Sequence, residues 1–154
     1  MKLDMESRRA LGANAFYKTG AKEYLGIINN PNGGAEEAMA AIPAIVNLSF
    51  SIELFLKSLK PDLRGHKIKE LFDSQDDDTK IVIKRLVVSA CNEVDSNYDE
   101  NDFVDDVVKM SDSFVEWRYF FEASRNARIL FIYNFASILH GLFEIQTKGI
   151  DALK

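Results

Sequence analysis

Ile45, Leu48, Ile52, Leu56 and Leu59 recur three and four residues apart, and no stretch of the chain sustains the two-residue alternation of a half-buried strand. Such spacing gathers apolar side chains on one face of a helix and demands a partner surface for that face. Hairpin dipeptides between β-rich runs are also missing. Two charged residues, Glu53 and Lys57, stand inside this apolar run. Burying either is costly unless it is paired. They lie four apart with the acid first, the favourable order for pairing along a helix.

The rest of the chain divides into further helices. Ala10 to Ile28 reads as the first, with an apolar stripe weakened by Gly12, Gly20 and Gly26. Asn29 to Gly34 is a break. Ala35 to Leu59 follows, and Pro43 either kinks it or opens a new helix from its first turn. His66 to Ser74 is a short helix whose face is Ile68, Leu71 and Phe72. Asp76, Asp77 and Asp78 precede a helix over Lys80 to Val94, where carboxylates cap free amides and match the helix dipole. Ser96 to Asp102 reads as a loop or a frayed start. Phe103 to Glu122 is helical, although Ser111, Asp112 and Ser113 can break it, and Ser113 has capping-box spacing to Glu116. Arg125 to Thr147 is the last helix, and residues 148–154 form a loose tail. The expectation is an all-α bundle of five or six helices, one domain over residues 1–154 with its core over about 35–147.

A chain of 154 residues can bury roughly two thirds of its unfolded surface without staples. Its one cysteine, Cys91, excludes an internal disulfide, suits a reducing compartment and reads as a small buried apolar residue. The net charge of −5 argues against broad non-specific nucleic-acid binding and leaves room for a local basic groove. Residues Met1 to Arg9 carry charges with no apolar run behind them, so no signal peptide is expected. The apolar window Ile129 to Phe143, 15 residues, falls short of the roughly 18–20 that span a bilayer, and reads as a core helix. A cytoplasmic protein without membrane contact is expected. Neither Cys-x-x-Cys nor His-x-x-x-His occurs, so no zinc site is expected, and no cofactor is implied.

Two histidines limit the choice of general base. His66 follows a glycine at the start of a short helix, where the dipole favours neutral imidazole. It can accept a proton there, or lock the helix against Glu53 or Glu122. His140 sits among Ile138, Leu139, Leu142 and Phe143 and reads as a core histidine. Phe114, Trp117 and Phe121 share one helix face; Arg118 and Glu122 share another. An Arg in such a run can stack, make a buried bidentate pair or grip a phosphate.

The Glu53-x-x-x-Lys57 helix, the Gly65-His66 start leading to Leu71-Phe72, and the Phe114-Val115-Glu116-Trp117-Arg118-Tyr119 segment together resemble the HEPN family (higher eukaryotes and prokaryotes nucleotide-binding domains) over roughly residues 40 to 145. The resemblance implies an up-and-down helical bundle, often a homodimer. It implies roles in toxin–antitoxin, phage-defence or RNA-processing systems, commonly beside a nucleotidyltransferase partner. Many members are metal-independent ribonucleases with an Arg-x(4–6)-His signature. This chain departs from it. Leu59, Lys60 and Pro61 occupy the positions ahead of His66, and Tyr133, Asn134 and Phe135 those ahead of His140.

The expected function is accordingly a divergent, non-catalytic HEPN-like module, homodimeric, that binds a nucleotide, RNA or an antitoxin-type partner protein. Lys57, Arg64, His66 and Arg118 supply positive charge, Trp117 a stacking surface, and Glu53 and Glu122 orientation. One alternative is a ribonuclease using His66 as base, with Arg64 or Arg118 on the phosphate. Another is a purely structural protein that dimerises through the aromatic face from Phe114 to Phe121.

Overall fold

A computed structural model describes residues 3–29, 35–115 and 129–148. They form six helices and no strand: α1 (Met5–Asn29), α2 (Ala35–Leu59), α3 (Ile68–Asp73), α4 (Asp77–Asn92), α5 (Glu100–Val115) and α6 (Ile129–Lys148). The expected all-α bundle is the observed architecture. The longest helices, α1 and α2, form an antiparallel pair, and α6 packs against both and against α4. The short α3 sits between α2 and α5.

Leu48, Ile52 and Leu56 of the founding apolar run are fully buried in α2, with Phe55 beside them. An aromatic cluster closes the other side of the core. Phe103 of α5 meets Phe72 at 5.4 Å, Phe131 at 5.8 Å and Phe135 at 5.9 Å, edge to face, the arrangement ring quadrupoles prefer. Cys91 is buried, as expected, and its sulfur accepts from Asn134 Nδ2 at 3.4 Å.

Several element boundaries differ from those expected. Helix α1 begins five residues earlier, because Asp4 Oδ1 accepts the Ser7 amide at 2.7 Å and caps the first turn. Helix α2 runs unbroken through Pro43, so no second helix starts there. Helix α3 starts at Ile68 rather than His66, because Gly65 takes φ +94° and Lys67 is extended. Asp76 stands at the N-cap of α4, but its carboxylate takes Lys60 Nζ at 3.2 Å instead of a backbone amide. Only Asp77 and Asp78 serve the first turn. Helix α5 begins at Glu100, where Asp99 Oδ1 accepts the amides of Asn101 and Asp102 while Asp102 Oδ2 accepts that of Asp99. Of the loop or frayed start expected here, this reciprocal cap makes a helix start at Glu100. No break interrupts residues 111–113.

The glycines of α1 do more than weaken its stripe. A Cβ at Gly20 would stand 2.7 Å from Leu48 Cγ and 3.0 Å from the Leu48 nitrogen, so the two helices approach as closely as a missing side chain permits. Gly12 faces Leu54 in the same way, at 3.1 Å. Residues Ala41–Leu59 and Ile129–Lys148 are each long and apolar enough to cross a membrane by length and composition. The latter helix has 20 residues, so the 15-residue window does not rule out a span on length. In the bundle these two helices pack against each other.

Candidate functional site

The polar residues inside α2 converge with the turn that follows it. Glu53 and Lys57 are one helical turn apart on the same face, and both are buried; their side chains are 6% and 10% exposed. Lys57 Nζ donates to Glu53 Oε1 at 2.9 Å. After Leu59 the chain turns through Lys60 to Lys67, with the Leu63 amide donating to Lys60 O. Gly65, in the left-handed region that a side chain would strain, then throws the chain back over α2. His66 lands with Nδ1 2.7 Å from the same Glu53 Oε1. Of the two partners expected for His66, Glu53 makes the contact, and Glu122 lies outside the described residues.

This geometry fixes the imidazole. An ionised carboxylate only accepts, so Nδ1 carries the hydrogen, and in the neutral ring Nε2 keeps the lone pair. The His66 side chain is 80% exposed, in contrast to the carboxylate that holds it. A buried Glu thus anchors an outward imidazole, while Lys57 compensates the charge of the anchor.

The cations around the turn fall into two groups. Lys60 pairs with Asp76, Lys67 with Glu70 and Lys69 with Asp73. Arg64 instead donates through Nη1 to the carbonyls of Leu63 at 3.1 Å and Pro61 at 3.3 Å. Arg9, from the first turns of α1, donates to the same Pro61 oxygen at 2.8 Å. Among the described residues neither arginine has a carboxylate partner. Two guanidinium groups are therefore drawn to one backbone oxygen.

Sequence reasoning did not single out Arg9. Its partner is a carbonyl 52 residues away, which no residue-type pattern marks. Beside Lys57 a cleft of about 420 Å³ opens between α1, α2 and α6, lined by Arg9, Ser58, Pro61, Phe143 and Thr147 among others. Of the expected site residues, Glu53, Lys57 and His66 meet at Glu53 Oε1, Arg64 sits on the adjoining turn, and Lys57 alone of the four also lines the cleft. Trp117, Arg118 and Glu122 lie outside the described residues, as do positions 116–121 of the aromatic face.

His140 lies elsewhere, on α6. Its ring stacks on Tyr17 at 4.4 Å and meets Phe55 edge-on at 5.8 Å. Tyr17 OH donates to Ser137 Oγ at 3.1 Å. Burial pushes the His140 pKa down, opposed by the carboxylate of Glu144 and assisted by Lys148 and Lys18. Among the described residues no group of three or more His, Cys, Asp or Glu side chains could hold a metal ion.

No protein-family model, no curated protein and no solved structure matches this chain.

Proposed function

We propose that the chain is a divergent, non-catalytic HEPN-like module that binds a phosphate-bearing ligand, a nucleotide or RNA, at the turn after α2. We also infer that it works as a homodimer beside a partner protein of a prokaryotic toxin–antitoxin or defence-type system. The observation that carries the site is the double use of Glu53 Oε1, which holds Lys57 at 2.9 Å and His66 at 2.7 Å. A histidine held this way is placed before a ligand arrives, which lowers the ordering cost of binding. Arg64 stands two residues away, with its charge unmatched by any described carboxylate. Guanidinium is well suited to phosphate oxygens. Lys57 is buried against Glu53, so its part is to balance that carboxylate, and Arg64 and His66 supply the surface contacts.

Fluorescence anisotropy of a labelled single-stranded RNA oligonucleotide tests this reading. Binding should weaken with salt, and Arg64→Ala should lower both affinity and the steepness of the salt dependence. Equal affinity and equal salt dependence for wild type and Arg64→Ala would remove the turn from the site.

One observation favours a second reading. With Nδ1 on a buried carboxylate, Nε2 of His66 is the arrangement of a general base. Such a base takes the proton of a ribose 2′-hydroxyl as that oxygen bonds to the adjacent phosphorus; the P–O5′ bond breaks, leaving a 2′,3′-cyclic phosphate, and the 5′-oxygen departs with a proton from water, with Arg64 beside the developing charge. Cleavage of structured RNA in EDTA by wild type, and none by a folded His66→Ala variant, would establish this reading in place of the non-catalytic one.

A further inference from the structure

The cleft beside Lys57 has a composition that the turn does not. Two cations line it, Arg9 from α1 and Lys57 from α2, and so do apolar residues, Phe143 from α6 with Pro61 and Ala10. Hydroxyl groups of Ser58 and Thr147 line it too, each already donating to a carbonyl of its own helix, at 2.8 Å to Leu54 and 2.9 Å to Phe143. A hydroxyl that has donated in this way still offers its oxygen as an acceptor. The volume, about 420 Å³, lies within the range of small-molecule sites.

Arg9 decides the sign of the ligand. Nη1 is spent on Pro61 O. Guanidinium has five N–H donors, and the described residues offer Arg9 no other acceptor. Lys57 lines the cleft too, but its charge is matched by Glu53, so the unmatched positive charge is that of Arg9. Two acids border the region. Glu6 lines the cleft one helical turn before Arg9, and Asp62 is exposed on the neighbouring turn; neither pairs with Arg9. Both acids oppose an anion, so its head must be compact and sit on Arg9 itself.

We propose that this cleft binds a small organic anion, its acidic head, phosphate or carboxylate, on Arg9 beside Lys57 and its apolar body against Phe143 and Pro61. The proposal stands apart from the RNA reading, because it uses neither His66 nor Arg64.

The test is an NMR titration of the full chain with four probes. Phenyl phosphate and sodium benzoate carry head and body, inorganic phosphate carries the head alone, and benzyl alcohol the body alone. The expected result is saturable binding of phenyl phosphate, benzoate or both, with amide shifts concentrated at residues 6–10, 57–61 and 143–147. Whichever of the two binds more tightly identifies the head group. The head-only and body-only probes should bind roughly tenfold more weakly. Arg9→Gln should weaken the best probe roughly tenfold, the loss of one charge-assisted contact. Glu6→Gln should tighten it by about twofold, because a like charge leaves. Arg64→Ala removes the second guanidinium on Pro61 O and should weaken the best probe by no more than about twofold, against the roughly tenfold loss in Arg9→Gln, which separates failure here from failure at the turn. Saturation by none of the probes, shifts centred elsewhere, or equal binding by a folded Arg9→Gln would overturn the proposal. Tighter binding of benzyl alcohol than of either acid would also overturn it.

Discussion

Replacing Glu53 by Gln should be among the more damaging single changes in the chain. The substitution keeps shape and removes charge. Lys57, with its side chain 10% exposed, then holds an ammonium group whose counter-charge is gone. Breaking one side of a buried pair typically costs about 3–5 kcal/mol. The cleft beside Lys57 gives it some access to water, which places the expected loss near the lower end, about 3 kcal/mol. Lys57→Met should cost less, about 1–2 kcal/mol, because the remaining carboxylate keeps His66 as a donor. The double variant Glu53→Leu with Lys57→Met removes both charges into an apolar surround of Leu56, Phe55 and Ile52. It should lose no more than about 1 kcal/mol, chiefly the hydrogen bond to His66. Urea unfolding followed by circular dichroism measures all three. With a slope near 2 kcal/mol per molar urea, the Glu53→Gln midpoint should fall by about 1.5 M. A double variant at least as unstable as Glu53→Gln alone would refute the reasoning, since removing the stranded charge of Lys57 would then give no relief.

Other perturbations separate packing from propensity and titration. Gly26→Ala meets nothing within 4 Å and should stabilise by about 0.5–1 kcal/mol, whereas Gly20→Ala drives a methyl into Leu48 and should destabilise by about 1–2 kcal/mol; thermal melts compare them directly. Gln75→Leu deprives the carbonyls of Leu56 and Leu71 of a buried donor and should cost about 2 kcal/mol in the same assay. The His140 pKa is held down by burial, so the unfolded chain binds its proton first as pH falls. Stability should therefore drop as pH falls through the ordinary histidine range, and His140→Gln should lose less between pH 7.5 and 5.5 than wild type. The depressed pKa of Glu144, caused mainly by its hydrogen bond with Lys148, acts below the ordinary carboxylate range near 4.5, where stability is lost as pH falls through the folded value; the two windows are distinct.

What could be read from the residues was what depends on local spacing. The Glu53–Lys57 pair follows from a four-residue interval on one helix, and its burial from the apolar neighbours at Ile52, Leu56 and Phe55. The partner of His66 was legible only as a choice. Thirteen residues separate it from Glu53, and the decision rests on the φ of Gly65, which no composition reveals. Arg9 was invisible for a different reason: its acceptor is a backbone oxygen, and every residue carries one. Gly20 was misread because propensity counts only what a glycine costs its own helix. Its gain lies in the neighbouring helix, at Leu48.

Gln75 reaches across the foot of the site. Buried between helices, its Nε2 donates to Leu56 O at 2.9 Å, in the last turns of α2, and to Leu71 O at 3.2 Å, in α3. The segment from Lys60 to Lys67 is thus clasped at both ends by a single amide. Amide hydrogens within this segment that exchange only through opening of the clasp must wait for α2 and α3 to part. The turn and its two flanking helices should then open as one cooperative unit, at a free energy closer to global unfolding than to loop fraying. A surface turn of this kind behaves in exchange as part of the interior.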